Sequence, residues 1–157
     1  MQIYNQILPE AAKLLIPKLS ILSGIEDFYL SGGTALALQL GHRESEDLDF
    51  FNLKDFNPEE LSQELLKVGI LQDTEISKGT LNTFINSVKL QFLYYPYHLL
   101  EEPMLWEGIK LSSVIDNACT KLITISMRGS KKDFIDLYVI LEKYSLEELF
   151  RNLDKKY

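Results

Sequence analysis

The chain is poor in the residues that build common metal and redox sites. It has one cysteine, Cys119, and two histidines, His42 and His98. No internal disulfide can form, and there is no Cys/His zinc set. No serine or cysteine sits in a recognisable nucleophile elbow. No apolar run approaches the ~20 residues a membrane-spanning helix needs. The opening MQIYNQILPEAAKLLIPKLSIL lacks the charged start and unbroken apolar segment of a secretory leader. These absences fit a cytoplasmic protein that works away from membranes. Positive charge is also scarce: 16 Lys and Arg stand against 23 Asp and Glu, a formal charge of −7. That balance does not suit a protein that coats nucleic acid through a basic surface. It leaves open a local basic patch for RNA, or a nucleotide held through a metal. No repeat or Ser/Gly-rich linker interrupts the chain. Its 157 residues, 46% hydrophobic, suffice for one core, so a single domain over 1–157 is expected.

The periodicities predict a mixed α/β (α+β) fold. Leu8, Ala11, Ala12, Leu15, Leu19 and Leu22 repeat at helical spacing over 9–23, with Pro9 suited to the first turn and Pro17 expected to bend or split the helix. DFYLSGG reads as a short buried strand, TALALQLG as a helix stopped by Gly41, and DLDFF as a second strand. FNPEELSQELLKVG carries a helix start at Asn57-Pro58, a capping box through Glu60 and a stop at Gly69. TEIS, LNTFI and VKLQFLYY then predict three antiparallel strands, with WEGIKL as a short addition. The last third is helical, with Ser113/Asp116, Ser130/Asp133 and Ser145/Glu148 at capping-box spacing.

Chemistry concentrates in LSGGTALALQLGHRESEDLDFF. On a strand, residues i and i+2 share a face, so Asp47 and Asp49 are expected to project together about 6–7 Å apart. At an effective dielectric near 20 they would repel by roughly 2–3 kcal/mol. A divalent cation removes that cost, and Mg²⁺ commonly sits on one or two carboxylates plus substrate phosphates. Gly32 and Gly33, at a strand end and helix start, let a phosphate approach backbone N–H groups. Read alone, the carboxylates fit a solvated strand face or a pair with Arg43, and the glycines a tight turn. Read together, they describe a place for a nucleoside triphosphate and its metal.

GGTALALQLGHRESEDLDFF resembles the signature of the AbiEii/AbiGii toxin family of nucleotidyltransferases, within the DNA polymerase β-like superfamily. KLITISMRGSKKDFIDLY resembles the same family's lysine helix followed by a helix with an aspartate pair. The resemblance covers Phe28 to about Leu141. It implies a nucleotidyltransferase fold: a mixed central sheet flanked by helices, with a C-terminal helical portion. It also implies Mg²⁺ on Asp47 and Asp49, and transfer of a nucleoside monophosphate from an NTP with release of pyrophosphate. RNA, including tRNA acceptor ends, is the implied acceptor, and a separately encoded antitoxin the implied partner. By position Gly32 and Gly33 would line the triphosphate, with Ser31, Thr34 and Ser45 as further hydrogen-bond donors.

Lys121 falls beside the apolar face Val114, Ala118, Leu122 and Ile125, so it reads either as a triphosphate-binding ammonium or as a snorkelling lysine. Asp133 and Asp136 share a helix face. Asp133 has a capping role available, whereas Asp136 has none and is expected to orient Lys121 or bind substrate. Arg128, with Lys131 and Lys132, forms the densest basic cluster and could meet RNA phosphates; a solvated turn is the alternative. The superfamily commonly has a third carboxylate on a later strand. The corresponding stretch SVKLQFLYY carries Gln91, which cannot take a proton as a base. Glu75 and Asp73 could substitute. The alternative is therefore a degenerate nucleotidyltransferase fold that binds nucleotide, RNA or protein without turnover.

Overall fold

The computed structural model describes residues 1–157. Helix α1 (Glu10–Ser20) follows Pro9, whose carbonyl accepts from the N–H groups of Ala12 and Lys13. Pro17 lies inside it and does not split it. It falls near the C-terminal end, where one missing backbone donor leaves the preceding turns intact. Strand β1 (Tyr29–Ser31) runs straight into α2 (Gly32–Leu40). Helix α2 ends at Gly41, which adopts φ 65° and donates its N–H to the Ala37 carbonyl at 2.7 Å. Every residue from Thr34 to Gln39 is buried, as expected for a helix apolar on all sides.

Strand β2 (Leu48–Asn52) leads to α3 (Pro58–Leu65). The Asn57 side chain caps α3 by accepting from the Glu59 and Glu60 N–H groups. That helix stops short of Gly69. A meander follows: β3 (Gln72–Ser77), β4 (Thr80–Ile85) and β5 (Val88–Tyr94). Asn86 and Ser87, between paired Ile85 and Val88, both have positive φ. Two such residues form the tight turn whose twist matches the flanking strands. WEGIKL contributes to a hairpin rather than one strand, β6 (Met104–Trp106) and β7 (Ile109–Leu111). Helices α4 (Val114–Met127), α5 (Lys131–Leu141) and α6 (Leu146–Lys156) complete the chain. Capping boxes are complete at Ser130/Asp133 and Ser145/Glu148, and Ser113 accepts from the Asp116 N–H.

The seven strands form one mixed sheet in the order β3-β4-β5-β2-β1-β7-β6. β2 is antiparallel to β1 and parallel to β5. Leu30, Leu48, Phe50, Leu81, Leu90 and Phe92 point into a core of 24 buried residues that also takes Leu15, Ile16 and Leu19 of α1. A second cluster of Leu36, Ile115, Ala118, Ile140 and Leu149 joins α2 to the last three helices. Burying each such side chain is worth about 1.5–3 kcal/mol, so sliding β2 by one residue would forfeit several of them. That register turns Asp49 away from the large core. No helix is long and apolar enough to cross a membrane.

Candidate active site

The two glycines leave room for two charged groups. Gly32 has φ 69°, and a Cβ there would lie 2.8 Å from Asp49 Oδ2. A Cβ on Gly33 would lie 2.3 Å from Arg43 Nη2. The turn therefore presents a carboxylate and a guanidinium at the start of α2, with no side chain between them and the backbone.

Asp49 is half-buried on β2. Asp47 is not on the strand, as its spacing had suggested, but precedes the first strand residue, Leu48. Its carbonyl accepts a short hydrogen bond from the Thr34 hydroxyl, which also lies 2.7 Å from Ser45 Oγ. That side-chain partner takes the place of a ladder bond and holds the loop against α2. Burial, and then the charge of Asp47, push the Asp49 carboxyl up to about 6, against the opposing pull of Lys89, Lys121 and Arg128. Oxygen donors of this kind suit a hard divalent ion, which would relieve the repulsion. Asp47 and Asp49 are the residues that could hold it; no group of three or more metal-binding side chains exists.

Beside the carboxylates stands an ionic network with Lys121, Asp133 and Asp136 buried and Arg128 reaching in from an exposed position. Lys121 Nζ donates to Asp133 Oδ1 and lies within bonding distance of Asp136 Oδ2, both at 2.9 Å. Asp136, fully buried, also receives Arg43 through Nε at 2.7 Å and Nη2 at 2.9 Å, and His42 Nε2 at 2.7 Å. Asp133 takes Arg128 Nε at 3.1 Å while its Oδ2 accepts from the Ser130 N–H and hydroxyl. Burial alone would raise both carboxyls. Hydrogen bonds outweigh it, from Arg43, His42 and Lys121 at Asp136 and from Arg128, Lys121 and Ser130 at Asp133, and hold both well below the usual carboxylate range. Asp133 thus serves as helix cap and ion partner together. Three cations, Lys121, Arg43 and Arg128, face two carboxylates, so the network has positive charge to spare for an anion.

Ser31 is buried; it donates to Asn117 Oδ1 at 3.0 Å and accepts from Ser112 Oγ at 3.1 Å, tying β1 to α4. Ser31, Thr34 and Ser45 are thus engaged in internal hydrogen bonds. Gln91 lies directly beside Asp49 in the parallel β2–β5 ladder, and Glu75 is exposed two strands further out.

Sequence reasoning missed His42 and Lys89, and weighed Arg43 only as a partner for the Asp47–Asp49 pair. Arg43 meets Asp136 across 93 positions, a closure no local pattern reports. His42, which follows Gly41 at the end of α2, is bound to the same carboxylate. Lys89 was legible, because it lies two residues before Gln91 on one strand and so shares its face.

Residues 14–89 match the model of the family described as nucleotidyl transferase AbiEii toxin, type IV TA system. The chain is 39% identical over 148 residues to the protein aq_aa25 of Aquifex aeolicus (strain VF5), covering 90% of this chain and 72% of that one. Its fold is similar to that of JHP933 from Helicobacter pylori, with a TM-score of 0.58 at 22% identity, covering 98% of this chain and 75% of that chain. It is similar also to the antibiotic-resistance factor ANT(2'')-Ia, with a TM-score of 0.59 at 13% identity, over 94% and 92% of the two chains. With the glycine turn, the carboxylate strand and the lysine–aspartate helices in one place, the chain belongs to the AbiEii nucleotidyltransferase family.

Proposed function

We propose that the chain transfers a nucleoside monophosphate from an NTP to an acceptor hydroxyl on RNA, tRNA included. It would act in the cytoplasm as the toxin of a type IV-like toxin–antitoxin pair, opposed by a separate antitoxin protein. The observation that carries this reading is the placement of Asp49, with the charge of Asp47 acting on it, against the Gly32 turn beside the cationic network. Mg²⁺ on these two carboxylates would supply the charge that stabilises the transferring phosphoryl group. The remaining work belongs to the chain. Lys121, Arg43 and Arg128 neutralise phosphate oxygens, and Asp133 and Asp136 hold those cations in place before substrate arrives. The acceptor oxygen forms a bond to the α-phosphorus, the bond to the β-phosphate breaks, and pyrophosphate leaves. The hydroxyl's proton is left to the carboxylate pair, since Gln91 cannot take it.

Gln91 also favours a second reading, in which the domain binds nucleotide, RNA or protein without efficient turnover. One experiment separates the two. Each labelled NTP is incubated with Mg²⁺, total RNA and the protein, alongside an Asp47→Ala/Asp49→Ala control. Label that enters RNA only with the intact chain supports transfer. Triphosphate binding that depends on the two aspartates, without label transfer to any hydroxyl acceptor, supports the binding module instead.

A further inference from the structure

Two buried side-chain polar atoms have no hydrogen-bond partner, His42 Nδ1 and Asn82 Oδ1. Folded proteins satisfy such atoms or put them to use. The His42 ring is already anchored on Asp136 through Nε2. Asn82 stands on β4, away from the ionic network, and its oxygen accepts no hydrogen bond.

Its place in the sheet is informative. The β4–β5 ladder sets Asn82 opposite Gln91, and the β5–β2 ladder sets Gln91 opposite Asp49. Residues opposite one another on neighbouring strands share a face. Asn82, Gln91 and Asp49 therefore form one lateral row, and two strand spacings separate its ends by about 10 Å. That is the scale of a nucleotide from its sugar hydroxyl to the far edge of its base. The same face of β4 carries Phe84, half-buried, paired across the ladder with the exposed Lys89. An aromatic ring gives any base a surface to stack on, and a lysine gives a phosphate a counter-charge. The opposite face of these strands is closed core, with Leu81, Ile85, Leu90 and Phe92 all buried.

We propose that β4 and β5 form a nucleobase-reading site beside the carboxylates. Asn82 Oδ1 accepts a hydrogen bond from an N–H on the edge of a base whose face rests on Phe84. This rests on the nucleotidyl-transfer reading of Asp47 and Asp49. The base belongs either to the incoming triphosphate or to the terminal nucleotide of the acceptor strand, and the recognition chemistry is the same for both.

The test uses the 157-residue chain, Asn82→Ala and Asn82→Thr. Each is titrated in Mg²⁺ with non-hydrolysable analogues of the four NTPs, with ribose triphosphate, which has no base, and with oligoribonucleotides that differ only in the 3′-terminal base. Asn82→Ala is expected to weaken the preferred triphosphate about 10-fold while leaving ribose triphosphate unchanged. If triphosphate affinities stay constant and discrimination among the four RNA termini is lost instead, the site reads the acceptor's base. Asn82→Thr, a residue at home in strands, must reproduce the loss, which separates recognition from misfolding. Discrimination unchanged in both series, or an equal loss for ribose triphosphate, overturns the proposal. Triphosphate binding and RNA-terminus discrimination both indifferent to Asn82 remove the base site alone. Failure of the intact chain to bind any triphosphate removes the transferase reading as well.

Discussion

At the residue scale, the proposed chemistry rests on Asp49. Its folded carboxyl holds a proton up to about 6, whereas an unfolded aspartate releases it near ~3.9. Between those values the folded state binds the extra proton, so this residue's contribution to stability falls as pH rises through the window. A divalent ion held by the proposed site would compete with that proton. Mg²⁺ affinity is therefore expected to climb as pH rises from 5 to 7, with proton release on binding. Calorimetry in buffers of different ionisation enthalpy checks both, and a pH-independent affinity would refute the shared site. Asp47→Asn removes the like charge, so the same rise should move to lower pH. The residue types of this pair and its glycines were readable in order and spacing. The off-strand position of Asp47 was not, because it depends on a hydroxyl of α2 capturing a carbonyl in a different loop.

At the scale of elements, α5 holds the site together. Asp136 accepts from groups on two other segments, the loop after α2 and α4. Replacing it by asparagine keeps the shape but leaves Arg43 without its counter-charge and Lys121 with Asp133 alone. Loss of one partner in such a pair is expected to cost about 3–5 kcal/mol, measurable by urea unfolding at neutral pH. Because the Asp136 carboxyl is held below its ordinary range, its stabilising contribution is present above the unfolded value, ~3.9, and is lost as pH falls further. The acid limb of the stability curve should therefore flatten in Asp136→Asn; an unchanged limb would show that the ion network contributes nothing. The sequence distinguished Asp136, which lacks a local role, from Asp133, which caps its helix. It could not show that Asp133 does both.

At the scale of the whole molecule, a lysine in the last turn of α6 fastens that helix to α4 and to the segment after β5. Lys156 Nζ reaches Asp116 Oδ1 at 2.7 Å and the His98 carbonyl at 3.0 Å, with both side chains almost fully buried. Asp116 also accepts from the Leu100 and Glu101 N–H groups, so one carboxylate ties α4, α6 and the segment before β6. Lys156→Met should leave that carboxylate uncompensated and destabilise the fold by about 3 kcal/mol or more. Hydrogen exchange should then quicken in α6 and at Leu100 and Glu101. Unaltered exchange at those amides would show that the tie carries no load. Nothing in the last turn of an amphipathic helix marks one lysine as buried.

The sequence alone determined the alternation of strands and helices, the capped starts of the last three helices and the glycine–carboxylate pairing. These follow from propensities and periods that act over a few residues. Tertiary structure decided which charges meet. It seated Arg43 and His42 on Asp136, set Gln91 beside Asp49, and left Asn82 without a partner. Each of those outcomes depends on sheet register or on packing between distant segments, where the energy of a contact is set by the folded neighbourhood and not by the local chain.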